Sequence, residues 1–278
     1  MTDRSQLDVL KRHARRLRAL LCTVALVGAA APAAAQVVCG GTVGPGGTFT
    51  MTSDILACTS DPALRVVGQV VLDMAGHRLS CDSNAAFVVG ISIEGKDATV
   101  RNGSVEFCTF GIGLFGGGRH TVRDVTVHRG LVGIVVATDR NRLLRNGVRQ
   151  ATADGYSISG SDNVLDGNAA VGSPVGFLIQ GLRNSFVGNV ASENDVGFEG
   201  SGSADTTLSR NIAEGKDVGF RVIAGTGGHL LRDNLAIGTR NFDSSRGFLV
   251  AEADGTSSRQ TARTITSSRA SRCRRMRT

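Results

Sequence analysis

The run GRHTVRDVTVHRG, residues 118–130, holds two of the chain's five histidines with Asp124 between them. His120, Asp124 and His128 are residue types that ligate metals, or that share a proton when an acid orients an imidazole base. With Arg145 they would supply two parts of a polysaccharide lyase or uronate epimerase: a cation to neutralise the uronate carboxylate and a base beside it. The third part, a proton donor, is scarce, because Tyr156 is the only phenol and lysine occurs only at Lys11, Lys96 and Lys216. Spacing also separates the two histidines, since positions 120 and 128 fall on different strands of the pattern below. Asp154, Asp162 and Asp166 could pair for hydrolysis, but no spacing selects them.

Anion recognition is the second chemistry on offer. Arg101, Arg123 and Arg145 recur at intervals of 22 residues, and the planar guanidinium fork suits carboxylate and sulfate. A companion column, Asp97, Arg119, Arg140, Asp162, Arg183 and Asp205, mixes signs, so neighbouring members are expected to neutralise one another. Aromatic platforms for sugar stacking are few, because the chain has no Trp.

The elements that must carry these residues come from an internal repeat. Glycine followed by an apolar residue recurs at Gly90, Gly111, Gly133, Gly155, Gly176, Gly197 and Gly219, at intervals of 21 or 22 residues, and again at Gly247. A second column, Asn102, Asp124, Asn146, Asn168, Asn189, Asn211 and Asn234, runs in phase with it. A third, Asn141, Asn163 and Asn184, runs more briefly. Short β-branched segments lie between the columns, giving about three strands per repeat. Asparagine tolerates left-handed turns and can bond to its counterpart in a stacked repeat. The period is wrong for a hexapeptide helix, and the ladder of a leucine-rich repeat is missing. The expected fold is an all-β, right-handed parallel β-helix with about 22 residues per coil and roughly nine coils.

The pattern N-x-apolar-x-x-N-x-A-x-x-N-x-x-G-F, as in Asn184 to Phe198, resembles the repeats of pectin-lyase-like β-helix proteins. It is most similar to the secreted bacterial group that includes the periplasmic NosD-like proteins. The opening segment, CGGTVGPGGTFTMTSDILAC (39–58) with VLDMAGHRL (71–79), resembles the first coils of that group, with Ala75 where Asn is usual. The resemblance implies that Cys39 and Cys58 close the N-terminal cap. Stacking places Cys81 and Cys108 at matching turns one coil apart, within disulfide reach. Copper handling does not carry over, because it wants sets of Met, Cys or His, and Met51 and Met74 stand alone. The epimerase D-P-H-D and the polygalacturonase G-H-G signatures are absent too. No metal or cofactor is expected.

The net charge of +7 misleads until it is divided along the chain. Residues 1–35 hold six basic and two acidic side chains, and residues 251–278 hold seven and two. The remainder is slightly acidic, which argues against a nucleic-acid partner. KRHARRLR (11–18), ALLCTVALVGAA (19–30) and PAAAQ (32–36) read as a signal peptide over 1–35, so the mature protein should be secreted or periplasmic, with no stable transmembrane segment. The expected layout is a cap and first coils over 36–89, repeats over 90–250, and a basic, disordered tail over 251–278. The expected function is an exported scaffold that binds acidic polysaccharide or cell-envelope glycan without catalytic machinery. The alternatives are a lyase- or epimerase-like enzyme, or a structural adhesin repeat.

Overall fold

The computed structural model describes residues 37–84, 87–223, 227–238, 246–251, 257–258 and 263–266. The expected signal peptide and most of the tail lie outside these residues. These described residues form one compact unit.

All regular structure among the described residues is β, wound as a parallel solenoid of about nine turns. Each turn contributes a strand to three faces. On face one, Phe110–Leu114 pairs in register with the last part of Thr121–Val136, so that Ile112 faces Ile134. The stack then continues through Tyr156, Phe177, Phe198, Phe220 and Phe248. Face two uses strands of only three residues in most turns, such as Ser185–Val187, with the middle side chain inward. Face three has the same pattern in Ala169–Val171, while in several other turns its strand runs on into face one, as in Gly147–Ile158 and Val190–Ser201.

The glycine column has a steric cause. A Cβ at Gly111, Gly133, Gly155, Gly176 or Gly197 would lie 2.6–2.7 Å from the carbonyl oxygen of the glycine one turn on. Only a residue without a side chain lets successive coils approach at strand spacing there. The next position turns inward, and in the later coils it carries a column of rings. Tyr156, Phe177, Phe198, Phe220 and Phe248 stack nearly parallel, with centroids 4.6–4.9 Å apart. The core keeps its volume as the rings enter. Face three carries Val105, Val127 and Val148 opposite Ile91, Ile112 and Ile134, then shrinks to Ala170, Ala191, Ala213 and Ala236 opposite the aromatics. That exchange holds packing density steady along the axis.

The corners explain the asparagines. In Asn184, Asn189 and Asn194, five residues apart, each side chain follows a corner residue with positive φ or Gly188: Arg183 (52°), Gly188 (63°) and Glu193 (59°). Asn189 accepts from the amide of Asn168 at 2.9 Å and from its Nδ2 at 3.0 Å, and donates to the carbonyl of Leu165 at 2.9 Å. Asn146, Asn168, Asn189, Asn211 and Asn234 form such a ladder, buried throughout.

Two readings require correction. Asn102 and Asp124 are not rungs of this ladder. They sit at the corner itself, with φ of 58° and 56°, and it is the amide of Val125 that meets Asn146 Oδ1 at 3.1 Å. The corner position and the ladder position are adjacent, and both accept Asn or Asp, so the pattern slips by one. The boundary at 250 is also too early. Ser257–Ser258 pairs with Leu230–Leu231, and Arg263–Thr266 with Leu235–Gly238, because backbone pairing needs neither column.

Two disulfides, Cys39–Cys58 and Cys81–Cys108, have Cα separations of 5.6 and 5.0 Å and lie in the first coils.

Candidate functional site

The face-two strands place Asp73, Arg101 and Arg123 in one outward column, in register over successive turns. Arg145 leaves that column. Leu144 takes the register position opposite Arg123, and Arg145 falls at the following corner with φ of 53°, equivalent to Asn102 and Asp124. The three arginines therefore form a bent group rather than a straight stripe.

Carboxylates answer the group from within. Arg101 donates through Nε to Asp73 Oδ2 at 2.9 Å, and Asn102 Nδ2 donates to Asp73 Oδ1 at 3.1 Å. Arg145 closes its fork on Asp124, with Nε to Oδ1 at 2.8 Å and Nη2 to Oδ2 at 2.9 Å. Arg123 reaches the same carboxylate through Nη1 at 2.9 Å. Burial pushes the Asp73 carboxyl up, yet the Ala75 amide, Asn102 and Arg101 together hold it below the usual range. The hydrogen bonds from Arg145 lead in holding Asp124 low, and the same contact raises Arg145. Arg101 pairs with Asp73, Arg123 and Arg145 share Asp124, and the charge of Asp166 also acts on Arg145, which remains 62% exposed at its side chain.

The mixed-charge column behaves as its signs require. Its members occupy another corner with positive φ, and Arg119 forks onto Asp97 at 2.7 and 2.7 Å, as Arg183 does onto Asp162 at 2.8 and 3.0 Å.

The candidate catalytic quartet is split among three places. Asp124 and Arg145 meet at the corner just described. His128 stands on face three, half-buried, in register with Glu106 and Arg149. His120 is buried in the wall as the first rung of the short ladder, where its amide donates to Asn141 Oδ1 at 2.9 Å. Its Nδ1 accepts from the Ala98 amide at 3.2 Å, so Nε2 carries the proton and donates to the Gly116 carbonyl at 2.5 Å. Burial lowers the His120 pKa, and both ring nitrogens are engaged. A histidine in a column of asparagines is a signal the sequence does hold, since His120 stands 21 residues before Asn141.

The remaining acid–base candidates are no more available. Tyr156 tops the ring stack in the core and donates its hydroxyl to the Asn146 carbonyl at 2.9 Å; burial raises its pKa well above the ordinary value. Asp154, on face one, is pushed up by burial and then by the charge of Glu199. Asp162 lies at its corner beneath Arg183 and Asp166 on face two, so the three acids do not converge. Sequence reasoning did not single out Glu199 and Arg221, which bond to each other on face one. Their signal is an opposite-charge pair in register, one turn apart.

Residues 78–252 match a family model described as NosD, periplasmic copper-binding protein. No curated protein matches the chain. Among solved structures, pectate lyase Pel9A is similar at 16% identity and TM-score 0.46, over 79% of this chain and 69% of that one. A tailspike protein double mutant of E. coli bacteriophage HK620 is similar at 10% identity and TM-score 0.42, over 74% of this chain and 45% of that one. The catalytic domain of a GH87 alpha-1,3-glucanase in complex with nigerose is similar at 16% identity and TM-score 0.36, over 69% and 40%. The chain thus spans less than half of the tailspike and glucanase chains.

Proposed function

The chain belongs to the NosD family, and on that premise we propose that it is an exported, non-catalytic scaffold that binds acidic polysaccharide through Arg101, Arg123 and Arg145. The family is described as periplasmic, and two disulfides accord with an oxidising compartment. No helix among the described residues is long and apolar enough to cross a membrane.

The observation that carries the proposal is the sharing of one carboxylate, Asp124, by two guanidinium groups, Arg123 and Arg145, beside the Arg101–Asp73 pair in register on the neighbouring turn. Asp124 serves two arginines at once, so neither fork is neutralised alone, and Arg145 stands well out in solvent. A polymer that repeats a carboxylate or sulfate can meet several of these groups together, which multiplies weak contacts. Because internal acids already compete, the affinity should be modest and screened by salt.

Copper, which the family description names, does not fit the described donors as a resident ion. Cys39, Cys58, Cys81 and Cys108 are consumed in disulfides. Met51 and Met74 are buried in the core, and His77 is shared with Asp54 at 3.0 Å. Among the described residues no three of His, Cys, Asp and Glu gather as a metal set.

The test is chromatography on immobilised alginate, pectate and a heparin-like polymer. The protein should be retained at low salt and released as salt rises, and the variant with Arg101, Arg123 and Arg145 all replaced by serine should pass through. Equal retention of that variant, or new ultraviolet absorbance from unsaturated uronate in the eluted polymer, would overturn the proposal. The second result would mark a lyase. No retention of the unaltered protein would leave a structural repeat.

A further inference from the structure

The inward column of face one has one gap. Positions Ile93, Leu114, Val136, Ile158 and Ile179 fill it turn after turn, Val222 resumes it, and between Ile179 and Val222 stands Gly200. The missing side chain opens a cavity of water size, lined on its apolar side by Ile179, Phe198, Leu208, Phe220, Val222 and Leu231.

The other wall is polar. Ser203, Thr206, His229 and Arg221 line it; the first three are buried, at 1% exposure each, and Arg221 Nε is a further buried donor without a partner. Thr206 donates its hydroxyl to the Ala204 carbonyl. Ser203 Oγ and both ring nitrogens of His229 lack a hydrogen bond of ordinary geometry within the protein, although the ring lies close enough to the Ser203 carbonyl to feel its pull. Ser203 Oγ lies 3.0 Å from where a Gly200 side chain would begin, so it points into the gap. Such atoms cost stability unless something meets them, and most buried polar groups in folded proteins are met by protein or by ordered water.

The short ladder shows why the need arises at this turn. Asn141 Oδ1, Asn163 Oδ1 and Asn184 Oδ1 each accept the amide of the residue one turn before. Beyond Asn184 the column changes to Thr206 and His229, and His229, unlike His120 in the same column, accepts no amide from the turn before. The long ladder, by contrast, continues unbroken to Asn234.

Several partners are possible in principle, and chemistry selects one. Burial lowers the pKa of His229, against the opposing pull of the Ser203 carbonyl and Asp205, so its ring is neutral near pH 7. A neutral imidazole offers one donor and one acceptor, and a serine hydroxyl offers both. One water molecule can donate or accept at each of these atoms, Arg221 Nε included, whereas a bare ion meets only the donors or only the acceptors. A polyatomic ligand does not fit the space. We infer that the Gly200 cavity is a built site for one buried water molecule, which bridges Ser203 and His229 and continues the polar column where its asparagines stop.

The experiment counts long-lived internal water by oxygen-17 relaxation dispersion in the unaltered protein and in Gly200→Val. Valine is the residue type at the next turn; its Cβ would press on Ser203 Oγ at 3.0 Å, so that hydroxyl must give way, and would meet Val222 at an ordinary 3.7 Å. The expected result is one long-lived water fewer in the variant. An unchanged count in a folded Gly200→Val protein would overturn the inference. Should that variant not fold, Ser203→Ala removes one of the two anchors without adding bulk, and the same loss of one water is expected; an unchanged count there overturns it equally.

Discussion

An asparagine in the long ladder spends every polar atom it has. Asn168 accepts from the amide and the Nδ2 of Asn146, and donates to Leu143 O at 2.8 Å and Asn189 Oδ1 at 3.0 Å. Asn168→Ala would leave several of these buried partners unmet, so unfolding in urea should show a loss of about 2–4 kcal/mol. The corner ion pairs behave differently because they are exposed. Arg119 holds the Asp97 carboxyl at about 2, against an ordinary 3.8, so protonation in the folded state lags behind the unfolded chain. The stabilisation is fully present well above pH 3.8 and is lost as the pH falls through about 2. Arg119→Ser should therefore lower the melting temperature slightly near neutrality, and its curve should merge with that of the unaltered protein by about pH 2. At this scale the sequence was legible in kind but not always in position. Asn146 and Asn168 read correctly as rungs, whereas Asp124 did not, because a left-handed corner and a ladder rung select overlapping residue types.

Among the elements, the strand opening face one is the most constrained. A Cβ at Gly197 would lie 2.6 Å from the Gly219 carbonyl oxygen and 2.8 Å from the Ala213 side chain. Backbone on the neighbouring turn cannot step aside without breaking its own pairing. Gly197→Ala should cost about 3 kcal/mol, the upper end for overpacking, while Gly188→Ala should disturb no packing, since nothing lies within 4 Å of its added Cβ. Its positive φ of 63° still adds a smaller penalty. Comparative urea unfolding of the two variants checks the ranking. The glycine period announced the existence and direction of these strands. It did not announce that Ala170, Ala191, Ala213 and Ala236 shrink in step with the incoming rings, because that compensation joins residues from two faces of the same turn.

Over the whole molecule, each turn touches only its neighbours, so stability is a sum of turns and their shared surfaces. This is why the fold could be read from one chain: a single period, repeated, over-determines the architecture. The same repetition hides function. Ladders of Asn, Asp and Arg look alike whether they hold the protein together or hold a partner, and His120 became intelligible only when its ring was seen in the wall. The stacked rings carry one more consequence. Tyr156 is the chain's only tyrosine and there is no tryptophan, so when excitation is set beyond the phenylalanine band one ring at the end of that column supplies the intrinsic fluorescence of the protein. Its emission is a local gauge set into a single turn. Where it and backbone circular dichroism part company during unfolding, the solenoid is opening from one end rather than all at once.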